Sequence, residues 1–192
     1  MTMKCFVETF LNLRKSGLLV NLKKCDLGVT KLVYLGFEIN KDGYSADPKK
    51  VAGIVNARLP KTLHGVCSFV GMLQFYRNAI PRYPQLTKPL TFLTSHKSHW
   101  SGGKELPQEA AAAFYKLKAI MSRRPFLHHP DMNLKFHLFV DGSQGQVKDQ
   151  SSGGLSACLV QYFEDDETKP PRTIGFASRS PMPYEKNKLQ QT

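Results

Sequence analysis

Beyond Pro130 the hydrophobic pattern of this 192-residue chain changes period, which restricts it to folds that set a helical part ahead of a sheet. Upstream, apolar residues recur three and four positions apart. Downstream, short apolar runs alternate with breaks rich in Gly, Pro and Asp, and strands are expected at 134–140, 154–162 and 172–178. The expected class is α/β in the segregated, α+β sense: a helical module followed by an incomplete mixed sheet.

The upstream half reads in more detail. Met3, Phe6, Val7, Phe10 and Leu13 share one helical face, and Gly17 is placed to close that helix in a left-handed cap. Residues 18–20 and 31–39 read as short strands, 40–43 as a turn and 44–46 as a brief return strand. Asp47 and Pro48 suit the N-cap and first position of a helix expected to reach about Arg58, ahead of Pro60. Leu63, Val66, Cys67, Val70, Leu73 and Ile80 form an apolar stripe that Pro81 ends, with Gln74, Arg77 and Asn78 off it. A short helix is expected over 85–93 and a polar linker bearing Trp100 over 95–103. A further helix follows Pro107, with Phe114, Leu117 and Met121 inward, and 123–130 is extended and Pro-limited.

Charge is unevenly placed. The chain has 27 Lys and Arg against 15 Asp and Glu, a formal net charge of +12. The whole excess lies before residue 134, and from Pro48 to Lys104 there is no acidic residue at all. Lys49, Lys50, Arg58, Lys61, Arg77, Arg82, Lys88, Lys97 and Lys104 fall in that stretch. A surface built only for solubility mixes both signs, so an acid-free basic segment points to a polyanion partner for this part of the chain. A solvated basic face without a partner is the alternative. Cys5, Cys25, Cys67 and Cys158 are far apart and form no Cys-x-x-Cys pair, which suits reduced, mostly buried thiols in an intracellular protein. No apolar run is long enough to span a bilayer, and the six histidines lack zinc-site spacing.

One carboxylate stands out. Lys135-Phe-His-Leu-Phe-Val-Asp141-Gly-Ser143 reads as an apolar strand delivering Asp141 at its end, with Gly and Ser free to turn. The same residues also read as no more than a turn. The tetrad Glu164-Asp-Asp-Glu167 is read as a solvated hairpin tip rather than a metal site.

Several segments, in order, resemble the Pol polyprotein of gypsy-type LTR retrotransposons, from the end of the reverse-transcriptase palm into RNase H. They are Gly17-Leu-Leu-Val-Asn-Leu-Lys-Lys-Cys25, Tyr34-Leu-Gly-Phe37, Asp47-Pro-Lys-Lys-Val51, Phe69-Val-Gly-Met-Leu-Gln-Phe-Tyr-Arg77 and Leu86-Thr-Lys-Pro-Leu90. Trp100, Phe114-Tyr-Lys-Leu-Lys118, Pro125-Phe-Leu-His-His-Pro-Asp131 and Phe176-Ala-Ser-Arg-Ser180 complete the series. The resemblance implies a palm remnant over 1–46, a helical thumb over 47–100, a connector with one helix over 101–131 and the start of an RNase H-like domain over 132–192.

It also implies roles. Leu35 and Gly36 lie in what resembles the primer-grip hairpin, where a glycine lets backbone approach a nucleotide closely. Lys49, Lys50, Gln74, Tyr76 and Arg77 fall on thumb helices that would follow a primer–template duplex, RNA–DNA or DNA, by its phosphates. Asp141 matches the first carboxylate, and metal ligand, of RNase H, whose chemistry uses two Mg²⁺ ions held by several carboxylates. Glu185 is read as non-catalytic. Two departures stand against a complete enzyme. The polymerase Tyr-x-Asp-Asp motif does not occur and would precede Met1, and only one RNase H carboxylate is expected within these 192 residues. The usual Asp-Ala-Ser is also Asp141-Gly-Ser143, followed by an insertion-like stretch over 144–152. The chain is therefore expected to be inert alone, without tight Mg²⁺ binding, lacking the remainder of Pol and keeping a duplex-binding surface. Its alternatives are a host-retained, non-enzymatic nucleic-acid- or protein-binding protein and a relic without function.

Overall fold

The structure is a computed structural model that describes residues 3–96, 98–103, 105–143, 154–162 and 170–181. The insertion-like stretch, the acidic tetrad and Glu185 lie outside the described residues. The chain forms two compact units, one over Met1–Leu32 and one beginning at Val33.

In the first unit, helix α1 (Met3–Lys15) buries none of its residues. Gly17 closes it at φ +72°. The Gly17 N–H donates to Arg14 O and the Leu18 N–H to Leu13 O, each at 3.0 Å, so two end carbonyls find partners. Residues 18–20, read from sequence as a strand, form none, and Leu18, Leu19 and Val20 are exposed. An apolar triplet has strand propensity, but a strand exists only where another supplies its hydrogen bonds.

The expected strand over 31–39 is in fact two, β1 (Lys31–Tyr34) and β2 (Phe37–Asn40). Leu35 and Gly36 break it, at φ +47° and +78°. Two adjacent left-handed residues are what a two-residue hairpin loop needs to match strand twist. Asn40 makes the next turn, its Oδ1 accepting from the N–H groups of Asp42 (2.9 Å) and Gly43 (3.1 Å). Strand β3 (Gly43–Ala46) then returns antiparallel to β2.

The fourth strand of this sheet arrives from far along the chain. Within the extended 123–130 segment, β4 (Phe126–His128) pairs antiparallel with β3, giving the order β1–β2–β3–β4. Gly43 permits this pairing, because a Cβ there would lie 2.1 Å from Leu127 O. Gly43→Ala is therefore expected to push β4 away and cost about 1–3 kcal/mol of stability, the usual range for overpacking, measured by urea denaturation.

Helices lie between β3 and β4 in sequence. Helix α2 (Pro48–Val55) starts on Asp47, whose carboxylate accepts from the Lys49 N–H at 2.9 Å, and it ends short of Arg58. Helix α3 (Leu63–Gln74) starts on Thr62, whose Oγ1 accepts from the Gly65 N–H. Its buried face is Val66, Phe69 and Leu73, continued by Tyr76 and Ile80; Leu63 and Cys67 are exposed. Contrary to expectation, none of the four cysteines is buried, because each lies off the packed faces. The face is rotated from the predicted stripe because the bulky Phe69 and Tyr76 share phase with Leu73. Helices α4 (Tyr83–Leu93) and α5 (Gln108–Ser122) complete the module. Phe114, Leu117 and Met121 of α5 face inward, as the sequence predicted, and one core joins α2, α3, α4 and α5. Lys118 ties α5 to the end of α2 by donating to Ala57 O at 2.8 Å.

The last sheet runs β5 (His137–Ser143), β6 (Gly154–Gln161) and β7 (Arg172–Arg179), each antiparallel to its neighbour. A mixed sheet was the expectation; the described strands are wholly antiparallel. Gln161, buried at the end of β6, holds the entry to β5. Its Oε1 accepts from the Asp131 N–H, and its Nε2 donates to Asp131 O (2.7 Å) and Leu134 O (3.2 Å). The sheet docks on the helical module through Gln85, whose side chain fills the place a Cβ of Gly154 would take. Where the two sheets meet, His128 Nδ1 of β4 lies 3.4 Å from Thr173 O of β7. Edge strand β5 leaves Leu138, Phe139 and Val140 exposed.

Candidate nucleic-acid interface and carboxylate site

The hairpin apex projects Leu35, 69% exposed, while Gly36 is half-buried. The Gly36 carbonyl accepts from two donors, the Asp47 N–H and the Tyr76 hydroxyl, both at 3.0 Å. Phe37 stacks on Phe75 with ring centroids 5.0 Å apart and meets Tyr76 edge-on at 5.5 Å. An open cleft of about 820 Å³ lies between hairpin and helices, lined by Tyr34, Leu35, Phe37, Lys50, Met72 and Phe75 among others.

Of the residues placed at a duplex by resemblance, Lys49, Lys50, Gln74 and Arg77 are exposed. Tyr76 is not. It is 4% exposed, its hydroxyl is spent on Gly36, and burial, assisted by the Asp47 charge, pushes its pKa up. It is therefore corrected from a contact residue to a support of the hairpin. The signal was present in the sequence, since Val66, Phe69, Leu73, Tyr76 and Ile80 are in phase on a helix. Arg77, in a 3-10 turn, acts on the buried Tyr83, whose pKa burial drives up to about 12 against the lowering effect of that guanidinium.

The acid-free segment keeps its cations outward. Arg58, Lys61 and Arg82 are exposed like Lys49, Lys50 and Arg77, and Lys88 is half-buried. Lys97 and Lys104 lie outside the described residues. Arg82 differs from the rest. It sits at φ +51° ahead of α4, and its guanidinium donates to Asp141 Oδ2.

Asp141 departs from its predicted setting. The Asp-Gly-Ser does not turn after the strand; β5 continues through Ser143, with Asp141 opposite Ser156 and Gly142 opposite Leu155. Both Arg82 and Asp141 are more than half exposed, so the pair contributes only about 0.2–1 kcal/mol. Its consequence is local, because one oxygen of the candidate ligand already faces a cation. Among the described residues no three His, Cys, Asp or Glu side chains converge. The described donor set therefore does not fit a two-cation centre, which needs several carboxylates. No local motif could have announced a partner 59 residues away for Asp141.

The chain is similar in sequence and in fold to known proteins. Residues 106–191 match the family described as the RNase H-like domain found in reverse transcriptase, a span that takes in α5 and β4 as well as the last sheet. The retrovirus-related Pol polyprotein from transposon opus of Drosophila melanogaster is 33% identical over 183 residues, 92% of this chain. That from transposon 297 of the same fly is 32% identical over 150 residues, 77% of the chain. An uncharacterised mitochondrial protein of Arabidopsis thaliana is 34% identical over 119 residues, 60% of the chain and 72% of its own length. The fold matches a foamy viral protease–reverse transcriptase solved with dsDNA, at a TM-score of 0.69 and 21% identity, over 98% of this chain and 37% of that one. These define the class, a chain with the fold of the reverse transcriptase–RNase H region of reverse-transcribing elements. More particularly, it is similar to retrovirus-related Pol polyproteins of retrotransposons, and it spans 17% and 14% of the two Drosophila relatives.

Proposed function

We propose that this chain is the thumb and RNase H-entry portion of a gypsy-type reverse transcriptase, that its helical module binds primer–template duplex, and that alone it cuts nothing. The observation that carries the reading is the outward display of Lys49, Lys50, Arg58, Lys61 and Arg77 from one acid-free segment. Cations without interleaved carboxylates meet phosphates at little cost in repulsion. The solved relatives lend support, one holding dsDNA and another an RNA/DNA hybrid. In the whole parent enzyme Asp141 would help hold Mg²⁺, which supplies an activated water; here Arg82 shares that carboxylate. Duplex, the rest of Pol and an intracellular setting complete the proposal, with no membrane partner. Among the described residues no helix is long and apolar enough to cross a membrane.

Binding to a labelled duplex between 50 and 200 mM salt tests the first part, with log affinity expected to fall by about 0.9 per phosphate contact for each decade of salt on B-form DNA. A flat response removes the reading. For the second part, the chain is expected to show no Mg²⁺-dependent cleavage of an RNA–DNA hybrid, with Asp141→Asn indistinguishable from it. Cleavage that Asp141→Asn abolishes would overturn inertness.

A further inference from the structure

The Leu35–Gly36 turn is held by more than its own strands. Leu35 adopts φ +47°, a conformation unfavourable for a residue with a side chain, so the surroundings must hold it there. The Gly36 carbonyl takes one hydrogen bond from Asp47, the residue that caps α2, and one from Tyr76, just past α3. Phe75 closes the other side. It stacks on Phe37, and a Cβ on Gly36 would come within 3.1 Å of its ring. Lys49 and Lys50 form the first turn of α2 directly after Asp47, and Lys50 lines the cleft beside the hairpin. One carbonyl thus links the hairpin apex, the start of the basic helix and the end of α3.

We propose that Tyr76 is a positioning residue that fixes the hairpin apex in register with the Lys49–Lys50 turn, so that the two engage a recessed 3′ end of a duplex as one surface. This rests on the duplex-binding reading above. Tyr76 itself touches no nucleic acid. The design separates two functions: the lysines supply affinity through phosphates, and the Tyr76–Gly36 bond supplies the geometry by which an end differs from continuous duplex.

Tyr76→Phe isolates the second function. It deletes one oxygen, keeps the ring packed on Phe37 and leaves Gly36 O bonded to Asp47, so the fold persists. The probes are a fluorescein-labelled DNA duplex with a recessed 3′ end and the same duplex with blunt ends, titrated by anisotropy across salt with the full chain. Wild type is expected to prefer the recessed end, and Tyr76→Phe to lower that preference about five- to tenfold, the effect of one hydrogen bond, with an unchanged salt slope. Lys49→Ala with Lys50→Ala is expected to do the reverse, reducing the slope and sparing the preference. Hydrogen exchange of the free proteins supplies a readout independent of any duplex: amides of 34–37 should exchange faster in Tyr76→Phe while those of α5 do not. An end preference equal in wild type and Tyr76→Phe, or absent in a wild type that binds, overturns the inference. So does unchanged exchange at 34–37. A wild type that binds no duplex removes the proposed function instead, and exchange alone then decides whether Tyr76 holds the turn.

Discussion

Phe114→Ala is expected to lower the free energy of unfolding by about 3–5 kcal/mol, seen as a lower urea midpoint at constant slope. Phe114 is fully buried at the middle of α5. Its ring meets Phe69 of α3 at a centroid distance of 4.4 Å, and the Lys118 ammonium lies 5.2 Å over it. Removing it opens a void between two helices and leaves the aliphatic stem of Lys118 less supported, while α5 keeps its backbone bonds. The loss is a large share of the 5–15 kcal/mol typical of a folded domain. Tyr115→Ala is the internal control. That side chain is 58% exposed on the same helix, and its replacement should shift stability by about 0.5 kcal/mol or less. Equal effects at the two positions would mean that α5 does not pack as described.

This core also shows how far local sequence carries. Asp47-Pro48, Gly17 and the inward set Phe114, Leu117 and Met121 were readable because capping and helical phase depend only on nearby residues. The strands after Pro130 were readable for the same reason, within a few residues. The stripe on α3 was misplaced because Cys67 scores as apolar, while burial follows the larger rings of Phe69 and Tyr76. Residues 18–20 and β4 failed in opposite directions. The first had strand propensity without a partner, and the second had a partner, β3, some eighty residues upstream. The candidate site divides along the same line. Exposed cations were visible as a composition bias. The bonds that define the site, Tyr76 to Gly36 and Arg82 to Asp141, join residues 40 and 59 positions apart. Only the fold creates such neighbours.

Removing Lys49, Lys50 and Arg77 together is expected to reduce duplex affinity on the order of a hundredfold near 0.15 M salt, and to flatten the salt slope by about 2.7. All three are exposed, and each is counted as one phosphate contact. At that count the weakening should fade toward 1 M salt, where counterion release contributes little. The helices should survive the change. Asp47 still caps α2 through the backbone N–H of residue 49, which alanine retains, and none of the three side chains belongs to the core. Circular dichroism and the urea midpoint check this. Net charge alone could mimic such a result in a chain of +12, so a matched set separates site from total charge. Lys23, Lys24 and Lys116 are equally exposed and lie outside the acid-free segment. Their replacement by alanine subtracts the same charge and should cost well under tenfold. If the two triple variants lose affinity equally, the duplex is held by a diffuse positive field and the thumb-like segment has no privileged face. If only the first loses it, phosphates are read where the acid-free stretch displays its cations.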